Sequence, residues 1–440
     1  MEEKKVETRS IKTLDAAKTA GKHQKEWFMQ MREQVVRENL PFVICSANFP
    51  MEILRAMDIP FVVNQWWSAI CGAKQLGGRY ADNIKRCGYR SGLCGYCGML
   101  YGGALDEHPE EGPWGGLPNP TIIVAESGCG SSGKIMELVA ERCGAKVYRM
   151  ENTACITPKP DWYDYTHYRW EEIYDPGRLD DEVEALKAFI HFVETETGRM
   201  FDELKLLDIM NKVNEQEMYY YKARNLIAET YPAPVTITDT VNAVMQAQWH
   251  RGTQWAVDHA RSFYEEIKAR ADAGVKAVPN EKIRLMWIGV GLWNNLAFYQ
   301  HFEQKYGAAF IWSMYLAMGA DQYPRFNVEQ DPLRALASRE ATMGDALGTL
   351  PMNSSWYLNE VRRNGIDGVV TLVGGLGCEE KYIHSNALIT KLLRDEGVPV
   401  LQLNASAIDP RGWNQEKMIA IVEAFLENQV IPYQNERGRK

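Results

Sequence analysis

Short apolar runs punctuate this chain, each bounded by glycine, proline or polar residues. Toward the N-terminus they are Pro41-Phe-Val-Ile-Cys-Ser46, Ile59-Pro-Phe-Val-Val63, Thr121-Ile-Ile-Val-Ala125 and Ala145-Lys-Val-Tyr-Arg149. Toward the C-terminus they are Lys282-Ile-Arg-Leu-Met-Trp-Ile-Gly289, Ala308-Ala-Phe-Ile-Trp312, Gly368-Val-Val-Thr-Leu-Val373 and Val398-Pro-Val-Leu-Gln-Leu403. Runs of this length with little polar alternation predict strands covered on both faces. Segments such as Pro50–Met57, Lys134–Arg142 and Met418–Phe425 have helical apolar spacing, and alternation of strand with helix implies parallel sheets. Ile11 to Leu40 carries Trp27, Met31 and Val35 at helical spacing and reads as an entry helix. From Asp180 to about Ala277 the pattern is almost wholly helical, in two or three long amphipathic stretches. The predicted fold is α/β, with two parallel-sheet domains of Rossmann or flavodoxin-like type and a helical insert between them. The division is 1–40 for the N-terminal helical segment, 41–160 for the first α/β domain, 161–280 for the insert and 281–440 for the second α/β domain.

Composition narrows the function classes. A net charge of -9 argues against a nucleic-acid surface, which needs clustered Lys and Arg. No apolar run approaches the length that spans a bilayer, and Met1-Glu-Glu-Lys-Lys-Val-Glu-Thr8 has no signal-peptide pattern, so a cytoplasmic protein without membrane partners is expected. Nine cysteines in such a chain point to metal or catalytic roles more than to a disulfide framework.

Three of those cysteines occupy glycine-rich turns. Cys129 follows the run at Thr121 and precedes the Lys134–Arg142 helical pattern, so it stands at the carboxyl edge of a strand, where α/β sheets hold ligands. Backbone N–H groups and the positive helix end there favour thiolate. Cys378 ends Gly368-Val-Val-Thr-Leu-Val-Gly-Gly-Leu-Gly-Cys378 in the same way, and Cys94 lies in Ser91-Gly-Leu-Cys-Gly-Tyr-Cys-Gly98. Together they suggest one soft-metal site; packed thiols are the alternative. The Cys94-Gly-Tyr-Cys97 pair is compatible with a redox pair, half a zinc site or part of a cluster site. Scattered histidines and the lack of a second close pair favour iron-sulfur over zinc. Gly128-Cys-Gly-Ser-Ser-Gly-Lys134 has the spacing of a phosphate-binding loop, but Ile135 stands where Mg²⁺ coordination requires Ser or Thr, so nucleotide binding is not expected.

The chain resembles the 2-hydroxyacyl-CoA dehydratase and benzoyl-CoA reductase family over essentially its whole length. The resemblance rests on Phe49-Pro-Met-Glu-Ile-Leu-Arg-Ala56, on Leu93-Cys-Gly-Tyr-Cys-Gly-Met-Leu-Tyr-Gly102, and on the strand-turn cysteines Cys129 and Cys378. It implies a subunit that pairs with a homologous subunit and holds a 4Fe-4S cluster through Cys94, Cys129 and Cys378. It also implies a separate ATP-hydrolysing iron-sulfur activase that delivers the electron, ferredoxin as upstream donor, and an acyl-CoA or aryl-CoA substrate. Glu52, placed near the cleft by the family helix, is the carboxylate expected to handle protons, against the alternative of a solvated acid at a helix start. Cys97 departs from the family pattern and leaves the ligand count open.

Chain length, the Trp66-Trp67 pair and the aromatic segment Trp162 to Tyr174 make the chain look most like the larger substrate-module subunit of an ATP-dependent benzoyl-CoA reductase. The expected reaction is then reductive dearomatisation of an aryl-CoA to a cyclic dienoyl-CoA in a dry, aromatic-lined pocket. Other readings are a radical 2-hydroxyacyl-CoA dehydratase subunit, a double-cubane cluster reductase that recruits Cys97, and a redox-inactive partner that only shapes the pocket.

Overall fold

The structure is a computed structural model that describes residues 7–89, 94–126, 129–150, 153, 159–348, 350–373 and 379–438. Each apolar run contributes a strand. β1 (Val43–Cys45), β2 (Phe61–Val63), β3 (Ile122–Glu126) and β4 (Lys146–Met150) form one four-stranded sheet in the order β2-β1-β3-β4. β5 (Ile283–Ile288), β6 (Ala308–Ser313), β7 (Gly368–Val373) and β8 (Val400–Asn404) form a second in the order β6-β5-β7-β8. Every pairing is parallel. The two sheets thus repeat one winding, and in each the strand order reverses beside the first strand, between β1 and β3 and between β5 and β7. Reversal of this kind opens a crevice at the carboxyl ends of the strands.

Burial follows the winding. All residues of β5 and β6 are buried, as parallel strands sandwiched by helices require. Edge strand β4 instead exposes Lys146, Val147 and Arg149. One continuous apolar core runs through both sheets. Helix Gly77–Arg86 begins hard against the segment that follows β8: a Cβ on Gly77 would come within 2.5 Å of the Ile408 carbonyl, so glycine permits that approach.

The entry helix spans Asp15–Glu38, and its start is fixed from the helical segment, where Asp239 accepts the N–H groups of Thr13 at 2.8 Å and Leu14 at 3.0 Å. That segment comprises helices Pro176–Thr197, Glu203–Glu229, Ile237–Gln248 and Gln254–Asp272, more pieces than the periodicity suggested. The extra breaks have local causes. Gly198 closes the first helix in the left-handed region, and Asp202 opens the next by accepting Lys205 N–H. Gly252, at φ +82, turns the chain where a Cβ would stand 2.5 Å from Ile209 Cγ2. No helix among the described residues is long and apolar enough to cross a membrane.

Candidate active-site cavity

The carboxyl ends of both sheets open onto one cavity. Ala47 and Asn48 follow β1 into its wall, Gln65 follows β2, Cys129 and Ser132 follow β3, Val290 follows β5, and Met314 and Tyr315 follow β6. Helix Ile237–Gln248 closes one side with Met245 and Gln248, and Trp249 extends that wall. Met318, Tyr323 and Met343 complete a lining dominated by methionine and aromatic side chains, with few polar groups. Apolar walls with a few convergent polar atoms suit an organic ligand.

Two glycine-rich loops meet at this wall. Cys129 is the N-cap of helix Gly130–Cys143, and its Sγ accepts Ser132 N–H at 3.5 Å, the donor expected at a strand-to-helix turn. The Cys94 N–H donates to Ser131 Oγ at 2.8 Å, which ties the Cys94 loop to the first turn of the Cys129 helix. Both cysteines are buried. Cys97 lines the cavity alongside Cys129, with Gln65 Nε2 at 3.9 Å from its Sγ and Asn64 Nδ2 at 3.4 Å from its carbonyl. Cys378 follows β7, the neighbour of β5, and lies outside the described residues. Among the described residues no three His, Cys, Asp or Glu side chains gather as a metal-binding group. Adjoining cysteine loops, one with a backbone N–H directed at its sulfur, are nonetheless a donor set that fits an iron-sulfur ligand pair. Lys134 Nζ lies 3.7 Å from Glu137 on the same helix.

Glu52 does begin a helix, Met51–Ala56, but it is fully buried and absent from the cavity wall. Its Oε1 lies 2.5 Å from Arg251 Nε and its Oε2 2.5 Å from an Arg339 terminal nitrogen. Burial alone would push its carboxyl up; the two guanidiniums outweigh that and hold it at about 2. A carboxylate so held is ionised throughout the neutral range and is poorly suited to donate a proton. Its effect reaches the cavity indirectly, because the Arg251 and Arg339 guanidiniums lie 4.8 and 5.4 Å from the centre of the Tyr323 ring, and Tyr323 is in the wall. Tyr323 is itself pushed up to about 12, by burial against the pull of those cations, so its hydroxyl stays protonated.

The aromatic residues expected to form the pocket are elsewhere. Trp66 and Trp67 pack with Phe28 in the core, and Trp162 packs against Trp356. The wall takes its aromatics from Tyr96, Trp249, Tyr315 and Tyr323 instead. Of these only Tyr96 lies in a stretch the sequence singled out; Trp249, Tyr315, Tyr323 and Gln248 carried no local signal.

Comparison with known proteins gives the chain's family. A profile of the family described as 2-hydroxyglutaryl-CoA dehydratase, D-component, matches residues 46–428. The chain is 22% identical over 391 residues to the (R)-phenyllactyl-CoA dehydratase alpha subunit of Clostridium sporogenes, covering 87% of this chain and 88% of that protein. It is 19% identical over 399 residues to the (R)-2-hydroxyisocaproyl-CoA dehydratase alpha subunit of Clostridioides difficile, covering 89% of this chain and 90% of that one. With a profile that spans seven of the eight strands and both cysteine loops described at the cavity, the chain belongs to the 2-hydroxyglutaryl-CoA dehydratase D-component family.

Proposed function

We propose that this chain is a subunit of an enzyme that removes water from a 2-hydroxyacyl-CoA thioester. The observation that carries the reading is a dehydratase-family chain whose cysteine loops converge on an apolar cavity at the carboxyl edges of two parallel sheets. Cys94, Cys129 and Cys378 would hold a 4Fe-4S cluster, with Cys97 beside them in the wall. Such a group, when bound, supplies the low-potential electron that this elimination requires. The chain's own residues do the rest. Methionine and aromatic side chains keep water from the acyl group, and Tyr323 holds a proton at the wall. Glu52 fixes the two guanidiniums behind Tyr323. A homologous partner subunit and an ATP-hydrolysing activase fed by ferredoxin complete the system, a reading supported by the family and by relatives named as alpha subunits.

A second reading, reductive dearomatisation of an aryl-CoA, is favoured by the aromatic side chains and the lack of any carboxylate among the described residues of the wall. Product identity separates the two. The anaerobic complex, with activase, ATP and reductant, is given phenyllactyl-CoA or benzoyl-CoA and the products are read by mass spectrometry. Loss of one water from the first, with benzoyl-CoA unchanged, is expected; gain of two hydrogens by benzoyl-CoA would replace the first reading with the second.

A further inference from the structure

One acceptor in the cavity wall has nothing to accept. Gln248 lines the cavity and is 4% exposed, and its Oε1 is buried without a hydrogen-bond partner. Its other end is committed: Nε2 donates to Glu217 Oε1 at 3.0 Å, and Gln216 Nε2 donates to the same oxygen at 3.0 Å. Glu217 is fully buried, and its Oε2 has no partner where it lies against Gly319, at which a Cβ would come within 2.6 Å of it. Burial drives this carboxyl well above its ordinary range, against the pull of Gln248, Arg251 and Arg339. Protonated or ionised, the carboxyl offers an acceptor oxygen to both amides. Because an amide has one donor end and one acceptor end, fixing the Gln248 nitrogen on Glu217 leaves the oxygen as the uncommitted end of a side chain that lines the cavity. Leaving a buried acceptor unsatisfied is costly, and a ligand donor that reaches it removes the cost. A site built this way discriminates strongly against an analogue lacking the donor.

We propose that Gln248 is the specificity-determining residue of this cavity, its side-chain carbonyl accepting the hydroxyl hydrogen of a bound hydroxyacyl thioester, and that Glu217 is the positioning residue that turns that carbonyl toward the ligand. The inference rests on the acyl-CoA reading above and deepens it, since an unsubstituted aryl thioester brings no hydroxyl to Gln248. Neither residue stood out in the sequence: they are distant in the chain and meet only where Gln248, at the end of helix Ile237–Gln248, reaches Glu217 on helix Glu203–Glu229.

The test is equilibrium binding to the intact anaerobic complex, without ATP or reductant, of a matched pair: phenyllactyl-CoA and 3-phenylpropionyl-CoA, which differ in one hydroxyl. The unmodified complex should bind the hydroxylated thioester roughly ten- to a hundredfold more tightly, the range for one satisfied buried acceptor. Gln248→Leu should bring the ratio near one while leaving 3-phenylpropionyl-CoA binding within about twofold. Gln248→Met serves as the second variant of similar volume if that protein fails to fold. Glu217→Leu should lower the ratio, and Glu217→Gln, which keeps an acceptor for the Gln248 nitrogen, should restore it. A purely structural role would weaken both ligands together and leave the ratio unmoved. A ratio unchanged in the Gln248 variants, or near one before any substitution, overturns the inference alone. Failure of the unmodified complex to bind either thioester overturns the acyl-CoA reading and this inference with it.

Discussion

Cys94 and Cys97 share a loop but not their surroundings. The Cys94 N–H is anchored on Ser131, two positions past Cys129, whereas Cys97 caps helix Gly98–Ala104 and has the Gln65 and Asn64 amides around it. The proposed ligation of one cluster by Cys94 and Cys129 draws on the first arrangement, and the proposed contact of Cys97 with the acyl group on the second. Cys94→Ala and Cys129→Ala should therefore strip most of the iron and acid-labile sulfide from the anaerobic complex, as Cys378→Ala should. Cys97→Ala should retain the iron and weaken acyl-CoA binding several-fold. Iron lost on Cys97→Ala but kept on Cys94→Ala would reverse the assignment. The position of Cys129 was legible in the sequence because a glycine-flanked thiol at a strand end is a local pattern. Gln248 and Tyr323 were not, because what distinguishes them is the company they keep after folding.

At the scale of elements, Glu52 joins three of them. Helix Met51–Ala56 is held through Arg251, in the turn after helix Ile237–Gln248, and through Arg339 on helix Pro332–Gly348. Read from sequence, Glu52 was an acid at a helix start near a cleft. Its burial depends on two arginines far along the chain, which no local pattern announces. Removing its charge leaves two buried cations short of a partner, so Glu52→Gln should cost about 3–5 kcal/mol in urea unfolding near pH 7. The pH dependence has a definite sign. The folded carboxyl sits at about 2, below its ordinary 4.5, so its contribution is fully present above about pH 4.5 and fades as pH falls toward 2. The stability gap between the unmodified protein and Glu52→Gln should narrow over that window; a gap constant from pH 7 to 3 would contradict the ion-pair account. The buried strands, by contrast, were readable because a parallel strand covered on both faces must be a nearly unbroken apolar run. The helical segment was readable in kind but not in number, since breaks such as the one at Gly252 are decided by a neighbouring helix.

The whole molecule is one sheet winding used twice, with the helical segment laid across the crevice between the two carboxyl edges. That arrangement explains why aromatic density misled the sequence reading. Trp66, Trp67 and Trp162 are numerous and near in sequence to the expected site, yet they fill cores, while the cavity collects single residues from strand ends and from the segment that spans them. On the proposed reading the acyl group lies against a wall with a hydroxyl acceptor at Gln248, which suits an elimination that returns its electron. The most direct test is the electron count. With the partner subunit, reduced activase and ATP, the complex should convert many molecules of phenyllactyl-CoA for each electron supplied and leave benzoyl-CoA unreacted. Reductant consumed in proportion to the thioester converted would contradict the account.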